Sequence, residues 1–257
     1  MKPVDWIFPQ DLYCVSCGRP LPLTGDRGLA LCESCAEGIQ WITGRRCSKC
    51  GRPLSNENPF DLCRSCAGAQ GQSFSKGYAC ALYENNAAEL IRDMKYREKA
   101  WYASTLAALM AERYLSLVDP GTGELPRHDY ITAVPMAAKK KSLRGYDQAA
   151  LLARALSRLI GIPCLPGGLR RIRETDVMSG LSEEERRQNL ARAFAVDCDM
   201  IDMITDTRIL LVDDVMTTGS SVNACSDTLI ESGAASVDFI VFAIGADVRR
   251  GRPSGCG

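Results

Sequence analysis

The sequence holds one histidine, few aromatic residues and no surplus of charge of either sign. Lysine plus arginine and aspartate plus glutamate each number 31, for a net charge of +0. The global basic excess that marks many nucleic-acid-binding chains is therefore missing. No apolar run approaches the ~20 residues of a membrane-spanning helix, so no membrane insertion is expected. Met1 to Trp6 carry no apolar core of a signal peptide, which makes a cytoplasmic protein the expectation. No Gly-Lys-Ser/Thr follows a glycine-rich run, which excludes a nucleotide P-loop. The single histidine, His128, stands beside Arg127 and is expected to be exposed and not to act as a base.

What is present is unevenly placed. A chain of 257 residues can hold one good-sized core and a small accessory domain. Lys139 to Arg173 carries nine Lys/Arg against one acid, Asp147, and Asp197 to Asp214 carries six Asp against Arg208. A local basic surface suits pyrophosphate, nucleic acid or simple solubility.

Cysteine is abundant, at 13 residues. In a reducing compartment disulfides do not account for them. Eight fall into four Cys-x-x-Cys pairs: Cys14/Cys17, Cys32/Cys35, Cys47/Cys50 and Cys63/Cys66. A two-residue gap lets both thiolates of a knuckle face one tetrahedral ion, and a second knuckle closes the site. Gly18 and Gly51 suit the tight turns of such knuckles. Cys17-Gly18-Arg19-Pro20-Leu21 and Cys50-Gly51-Arg52-Pro53-Leu54 are nearly the same word, an internal repeat. The reading is two structural zinc ions in tandem ribbons. Sequential pairing is the simpler partition; interleaving first with third and second with fourth is the alternative. Cys80, Cys164, Cys198, Cys225 and Cys256 lack pairs and read as buried or tail residues.

The ten residues Val212 to Ser221 carry the chemistry. Ile209-Leu210-Leu211-Val212 reads as a buried parallel strand. Val222, Cys225 and Leu229 recur at helical spacing, and Gly233 sits where a helix stops. Between them, Asp213 and Asp214 precede Thr217, Thr218, Gly219, Ser220 and Ser221. Small residues, hydroxyls and backbone N–H groups at a helix N-terminus cradle a phosphate. Two carboxylates beside it suit sugar hydroxyls, as an acidic residue does for ribose in dinucleotide sites. Together they describe a pocket for a ribose 5-phosphate.

Elsewhere, Gly68 to Gly77 reads as a linker and Tyr78 to Tyr83 as a strand. Ala87 to Tyr114 reads as one or two helices, Tyr130 to Val134 as a strand ending at Pro135, and Ala149, Leu152, Leu156 and Leu159 as a helix face. Ser182 to Glu185 fits a capping box, and Ser236 to Ile244 is a further buried strand. This alternation predicts an α/β fold with a doubly wound, mainly parallel sheet and ligands at the strand C-termini.

The Asp213–Ser221 run resembles the binding loop of the type I phosphoribosyltransferases, which bind phosphoribosyl pyrophosphate (PRPP). Three more segments resemble the ComF family. They are Val134-Pro135-Met136 with Lys139-Lys140-Lys141 and Arg144-Gly145-Tyr146-Asp147-Gln148-Ala149; Leu181 to Leu190 with Phe194; and Met94-Lys95-Tyr96. With the Cys-rich front, the likeness runs from about Cys14 to Ile244. Two departures stand out: Asp147 where the family usually has Asn, and Met178 near where it has Gln. Asp147, an acid in the basic loop that follows Pro135, is expected to pack or pair locally.

The resemblance implies a double zinc ribbon over residues 1–70, a phosphoribosyltransferase-fold domain over 71–248 and a flexible tail over 249–257. Asp213 and Asp214 would hold the ribose hydroxyls, and Thr217, Thr218, Gly219, Ser220 and Ser221 the 5′-phosphate. Pro135, Met136, Ala137, Lys139, Arg144 and Lys95 would face pyrophosphate, with Lys140, Lys141 and Arg97 as further candidates; Mg²⁺ would accompany PRPP. Arg186 and Arg187 read as surface residues and Asn189 as a structural polar group. No motif names an acceptor, so phosphoribosyl transfer, PRPP sensing without turnover and a non-catalytic nucleic-acid-binding adaptor that uses the zinc ribbons are all open. The family's link to natural transformation implies single-stranded DNA and competence-machinery proteins as partners. Lys139 to Arg173 and the cluster Arg45, Arg46, Lys49 and Arg52 would offer basic surfaces. Only Trp41 and Tyr146 lie nearby for stacking, so backbone contact without sequence preference is expected.

Overall fold

A computed structural model describes residues 13–21, 30–68, 72–96, 100–119, 121–165, 167–173, 190 and 193–246. Arg97, the Ser182–Glu185 capping box, Arg186, Arg187, Asn189, Cys256 and the 249–257 tail lie outside the described residues.

Two short helices, α1 (Glu33–Glu37) and α2 (Arg64–Gly68), belong to the Cys-rich front. Behind it follow β1 (Gly77–Leu82), α3 (Asn85–Tyr96), α4 (Tyr102–Leu115), β2 (Tyr130–Ala133), α5 (Ala138–Arg144), α6 (Gln148–Ile160), β3 (Leu169–Arg171) and β4 (Phe194–Val196). Then come a 3-10 turn at Cys198–Met200, α7 (Ile201–Ile204), β5 (Arg208–Met216), α8 (Ser220–Glu231) and β6 (Ser236–Ile244). Strands β1, β6, β5 and β2 form, in that order, one parallel sheet. β3 and β4 make a separate antiparallel pair.

Successive strand residues point to opposite faces, and β5 divides its apolar run accordingly. Leu210 and Val212 join Ile240 and Phe242 under α3, α4 and α6. Ile209 and Leu211 join Val237, Phe239 and Val241 under α8 and the second ribbon. The sheet is thus covered on both faces, as the doubly wound reading requires. Its edges are covered too. Residues 40–42, between the ribbons, run along β1 through Ile42 N–H to Cys80 C=O and Leu82 N–H to Gln40 C=O. Residues 163–165 do the same for β2, through Ile131 N–H to Pro163 C=O and Leu165 N–H to Ile131 C=O. An open edge invites foreign strands, and both are closed here.

Several expectations change. The strand does not end at Val212 but continues through Asp213, Asp214 and Val215 to Met216. The basic loop after Pro135 is the short helix α5, closed by Gly145 at φ +76°. Ala149, Leu152 and Leu156 are buried on α6, but Leu159 is exposed. Cys198 is exposed, neither buried nor in the tail. His128 is not exposed: its ring contacts Tyr114 Oη at 2.9 Å and Asp238 Oδ2 at 3.1 Å. Asp238 also accepts from Tyr78 Oη at 3.0 Å. Burial, followed by the Asp238 charge, pushes both phenols up, Tyr114 to about 12. This polar cluster holds the start of β6 against β1 and the end of α4; the histidine is structural.

The two ribbons repeat one local fold. In the first, Cys14 N–H donates to Arg19 C=O and Gly18 N–H to Cys14 C=O, both at 2.8 Å. In the second, Cys47 N–H donates to Arg52 C=O at 2.7 Å and Gly51 N–H to Cys47 C=O at 2.9 Å. Gly18 and Gly51 adopt φ +73° and +74°, which favours glycine. Cys14, Cys17, Cys32 and Cys35 form one tetrad and Cys47, Cys50, Cys63 and Cys66 the other, with the sulfurs of each within 4.8 Å of one another. Pairing is therefore sequential. Zn–S bonds of about 2.3 Å set tetrahedral sulfurs about 3.8 Å apart. The Cys17–Cys32 and Cys50–Cys63 separations, 3.7 and 3.6 Å, fit that ion. Burial acts to raise the Cys14 thiol, but N–H groups of Cys17, Cys32 and Ser16 outweigh it and bring the value to about 7, whereas burial pushes Cys35 in the same tetrad up to about 12.

Only the second tetrad is wholly buried, and it is continuous with the core through Phe74 and Phe239. Elemental analysis should therefore find two zinc ions per chain, and Cys14→Ser and Cys47→Ser should each lose one. Cys47→Ser should lower the melting temperature of the α/β domain more, because its ribbon is part of that core. Equal loss by calorimetry would contradict this difference.

Candidate functional site

The end of β5 builds the site. Following the strand alternation, Asp214 takes the face of Leu210 and Val212, toward α3, where Lys95 Nζ meets Asp214 Oδ2 at 2.6 Å. Both side chains are largely buried. Burial alone would lower the Lys95 ammonium; the Asp214 charge and bond outweigh it and raise it. Asp213 takes the opposite face and accepts Asp214 N–H at 2.8 Å. Burial, and after it the Asp214 charge, raises the Asp213 carboxyl well above the ordinary carboxylate range; Lys95 opposes this only in part. The two acids are therefore inequivalent, Asp214 paired with a lysine and Asp213 favouring its proton.

Three residues, Thr217 to Gly219, carry the chain from β5 into α8. Gly219 stands at φ +82°, which lets the turn close so sharply. Asn223 N–H donates to Gly219 C=O at 2.8 Å, and Thr218 Oγ1 lies 2.9 Å from Ser220 Oγ. The first-turn N–H groups of a helix have no helical carbonyl to bond, and the helix dipole adds positive potential there. The structure thus makes the Thr217–Ser221 segment a strand-to-helix turn of the anticipated kind.

The facing wall is the Pro135–Ala137 segment with α5 and the start of α6. Asp147 caps α6 by accepting Ala150 N–H at 3.1 Å and accepts Met136 N–H at 3.2 Å. The departure from Asn thus has a local role, as expected, and it ties the wall to α6. One consequence is that Met136 N–H is already engaged. Arg144 donates to Gln148 Oε1 at 3.1 Å and lies 4.9 Å from the Tyr96 ring centre. Gln148 is buried, and its Nε2 has no hydrogen-bond partner among the described residues.

A cleft of about 290 Å³ lies between these walls. It gathers Lys95, Pro135, Met136, Ala137, Arg144, Asp213, Asp214 and Ser221. Lys140, Tyr96, Gln148 and Arg171 also line it. Lys139 is exposed and outside the lining, and Lys141 lines a second cavity instead. Lys95, expected beside pyrophosphate, is committed to Asp214. Gln148 stood in the sequence motif without a role; its orphaned amide is visible only once α6 is placed. Arg171 gave no local signal, because β3 is three residues long.

The raised Asp213 carboxyl makes a pH prediction. The folded value lies above the unfolded one, so its stabilising contribution is complete below the unfolded value. It is lost as pH rises through the folded value. Asp213→Asn cannot ionise and should escape that loss. In urea denaturation followed upward from the ordinary carboxylate range, the variant should gain on the wild type as pH rises. Parallel pH profiles would contradict the assignment.

Comparison with known proteins agrees with this architecture. The double zinc ribbon domain family matches residues 3–67 and the phosphoribosyl transferase domain family matches residues 146–254. Competence protein F of Haemophilus influenzae is 32% identical over 87% of this chain and 93% of its own length. DNA utilization protein YhgH of Escherichia coli (strain K12) is 28% identical over the same shares. Competence protein ComFC of Bacillus subtilis is 24% identical over 80% of each chain. A double zinc ribbon in front of a phosphoribosyl transferase domain, matched nearly end to end by competence protein F, places this chain in the ComF family.

Proposed function

We propose that the cleft binds PRPP together with Mg²⁺ and that the chain serves the use of incoming DNA. The observation that carries the ligand reading is the convergence, in one cleft, of the acidic strand end, Ser221 from the first turn of α8 and a basic wall with an unpartnered buried amide; Thr217, Thr218, Gly219 and Ser220 lie outside its lining. Asp213 and Asp214 receive the ribose hydroxyls. Asp214, paired with Lys95, accepts; Asp213, favouring its proton, can also donate. Thr217, Thr218, Gly219, Ser220 and Ser221 receive the 5′-phosphate. Pro135, Met136 and Ala137 shape the pyrophosphate side, where Arg144, Lys140 and Gln148 Nε2 supply donors. The oxygen-rich strand end suits a hard cation, and Asp213 accepts the Asp214 N–H there. Mg²⁺ bound with the ligand supplies charge neutralisation for the departing pyrophosphate. Whether an acceptor then takes the ribosyl group is read by pyrophosphate release.

Calorimetric titration with Mg-PRPP tests the site. Asp214→Ala removes a charge-assisted bond and strands Lys95, and should cost about 1.5–3 kcal/mol, roughly ten- to hundred-fold in affinity. Thr218→Asp should abolish binding by setting like charge against the phosphate. Wild-type affinity in both variants would reject the site.

Relatives named for competence and DNA utilization support the cellular role, with competence-machinery proteins and single-stranded DNA as partners. The ribbon cations are less available to DNA than their sequence suggests. Arg45 is held by Asn58 and Phe60 carbonyls and by Asp61. Lys49 reaches Gln72 C=O and the Phe74 ring. Arg52, expected at the surface, is buried. The proposed DNA contact is therefore the stretch from Lys139 to Arg173. There, beyond Pro135 and Met136 from the first cleft, Lys141, Arg154, Arg170 and Arg171 line a cavity of about 360 Å³. Joint substitution of Lys141 and Arg154 by Ala should flatten the log–log salt dependence of single-strand binding by about 1.4, at about 0.7 per phosphate contact. An unchanged slope in gel shifts would remove this surface from the reading.

A further inference from the structure

The Cys-Gly-Arg-Pro-Leu word occurs twice, folds alike twice and meets two different surroundings. Arg19, in the first copy, is exposed. Arg52, in the second, is 3% exposed. Its guanidinium bridges two parts of the molecule. One terminal nitrogen donates to Ser65 Oγ inside the ribbon at 3.1 Å. The other donates to the backbone carbonyl of Thr217 at 2.9 Å, 165 residues away in sequence. Thr217 is the first residue after β5 and opens the turn into α8.

That carbonyl belongs to the same planar unit as the N–H of Thr218. In a trans peptide the two bonds point opposite ways. Fixing the Thr217 oxygen toward the ribbon therefore fixes the Thr218 N–H away from it. A buried, planar fork that serves two acceptors at once holds this geometry far better than a flexible ammonium. The segment joining the second ribbon to β1 grips the next turn of α8. Ser73 N–H donates to Asn223 Oδ1 at 2.9 Å, and Ser73 Oγ donates to Asp227. Ribbon backbone also lies directly on β1: a Cβ on Gly51 would fall 2.4 Å from the Gly77 carbonyl oxygen. At Gly18, the matching position, a Cβ would meet nothing within 4 Å.

We propose that Arg52 is a positioning residue that couples the folded second ribbon to the phosphate turn, so that a zinc-loaded second ribbon orients the Thr218 amide for phosphate. The effect on ligand rests on the PRPP reading above; the orientation of the turn does not. The first ribbon, with Arg19 in solvent, shows no such link among the described residues and supplies a matched internal control.

The test uses the full chain carrying Arg52→Met, Arg52→Lys or Arg19→Met, each checked for two zinc ions. Amide exchange of the Thr217–Asn223 segment is followed without ligand, and Mg-PRPP affinity is measured separately by calorimetry. Arg52→Met keeps the stem but no donor. It should speed exchange in that segment by about ten-fold and weaken PRPP by a similar factor, with Arg52→Lys in between and Arg19→Met unchanged in both. Equal exchange in Arg52→Met and Arg19→Met overturns the proposal. Should Arg52→Met shed zinc, Arg52→Lys decides: faster exchange with both metals retained supports the coupling, and wild-type exchange overturns it. Absence of PRPP binding in the wild type refutes the ligand reading alone, because exchange still reports on the turn.

Discussion

Burial of β5 on both faces is the constraint from which the rest follows. A strand whose neighbours are β2 and β6 and whose faces meet helices on one side and helix plus ribbon on the other has no freedom of register. Once Leu210 and Val212 are committed to one face and Ile209 and Leu211 to the other, the directions of the next two residues are determined. The acids at its C-terminal end must diverge, one toward Lys95 on α3, the other toward α8. Their different electrostatics follow from strand geometry, not from any difference in side-chain type. The site is thus an outgrowth of packing.

This dependence explains why so much could be read from the chain alone. The buried strands announced themselves as β-branched or leucine-rich runs, and Ser236–Ile244 agrees with the observed β6 residue for residue. The cysteine spacing identified the ribbons because metal coordination is short-range and strict in geometry. The strand–acid–turn–helix order at Asp213 to Ser221 is likewise local. Distance in sequence is where legibility failed. The pairing of Lys95 with Asp214 joins residues far apart along the chain, and nothing near Lys95 marks its partner. His128 looked like a loop residue because its neighbours are polar; Tyr114 and Asp238, which enclose it, come from other elements. The basic stretch after Pro135 looked like a loop because seven residues show too little periodicity to declare a helix.

The cleft itself combines both kinds of information. Its acids and phosphate turn were visible as a motif, whereas Gln148 and Arg171 became candidates only through their position. Asp147 shows how a departure from a family pattern can be neutral in architecture. Carboxylate and amide oxygens both cap a helix and both accept a backbone N–H, so the wall beside Met136 stays in place.

The two ribbons are attached by different means. The first meets the α/β body through side chains: Asn86 Nδ2 donates to Cys35 C=O at 3.0 Å, and Tyr102 Oη donates to Val15 C=O. Such a seam can be rebuilt by exchanging side chains on either side. The second adds to its Arg52 and Ser73 links a contact of main chain on main chain, with Gly51 and Cys50 against Gly77. No exchange of side chains can repair a displacement there. For anyone building chimaeras, the first ribbon is a replaceable module, while the second must travel with the domain it sits on.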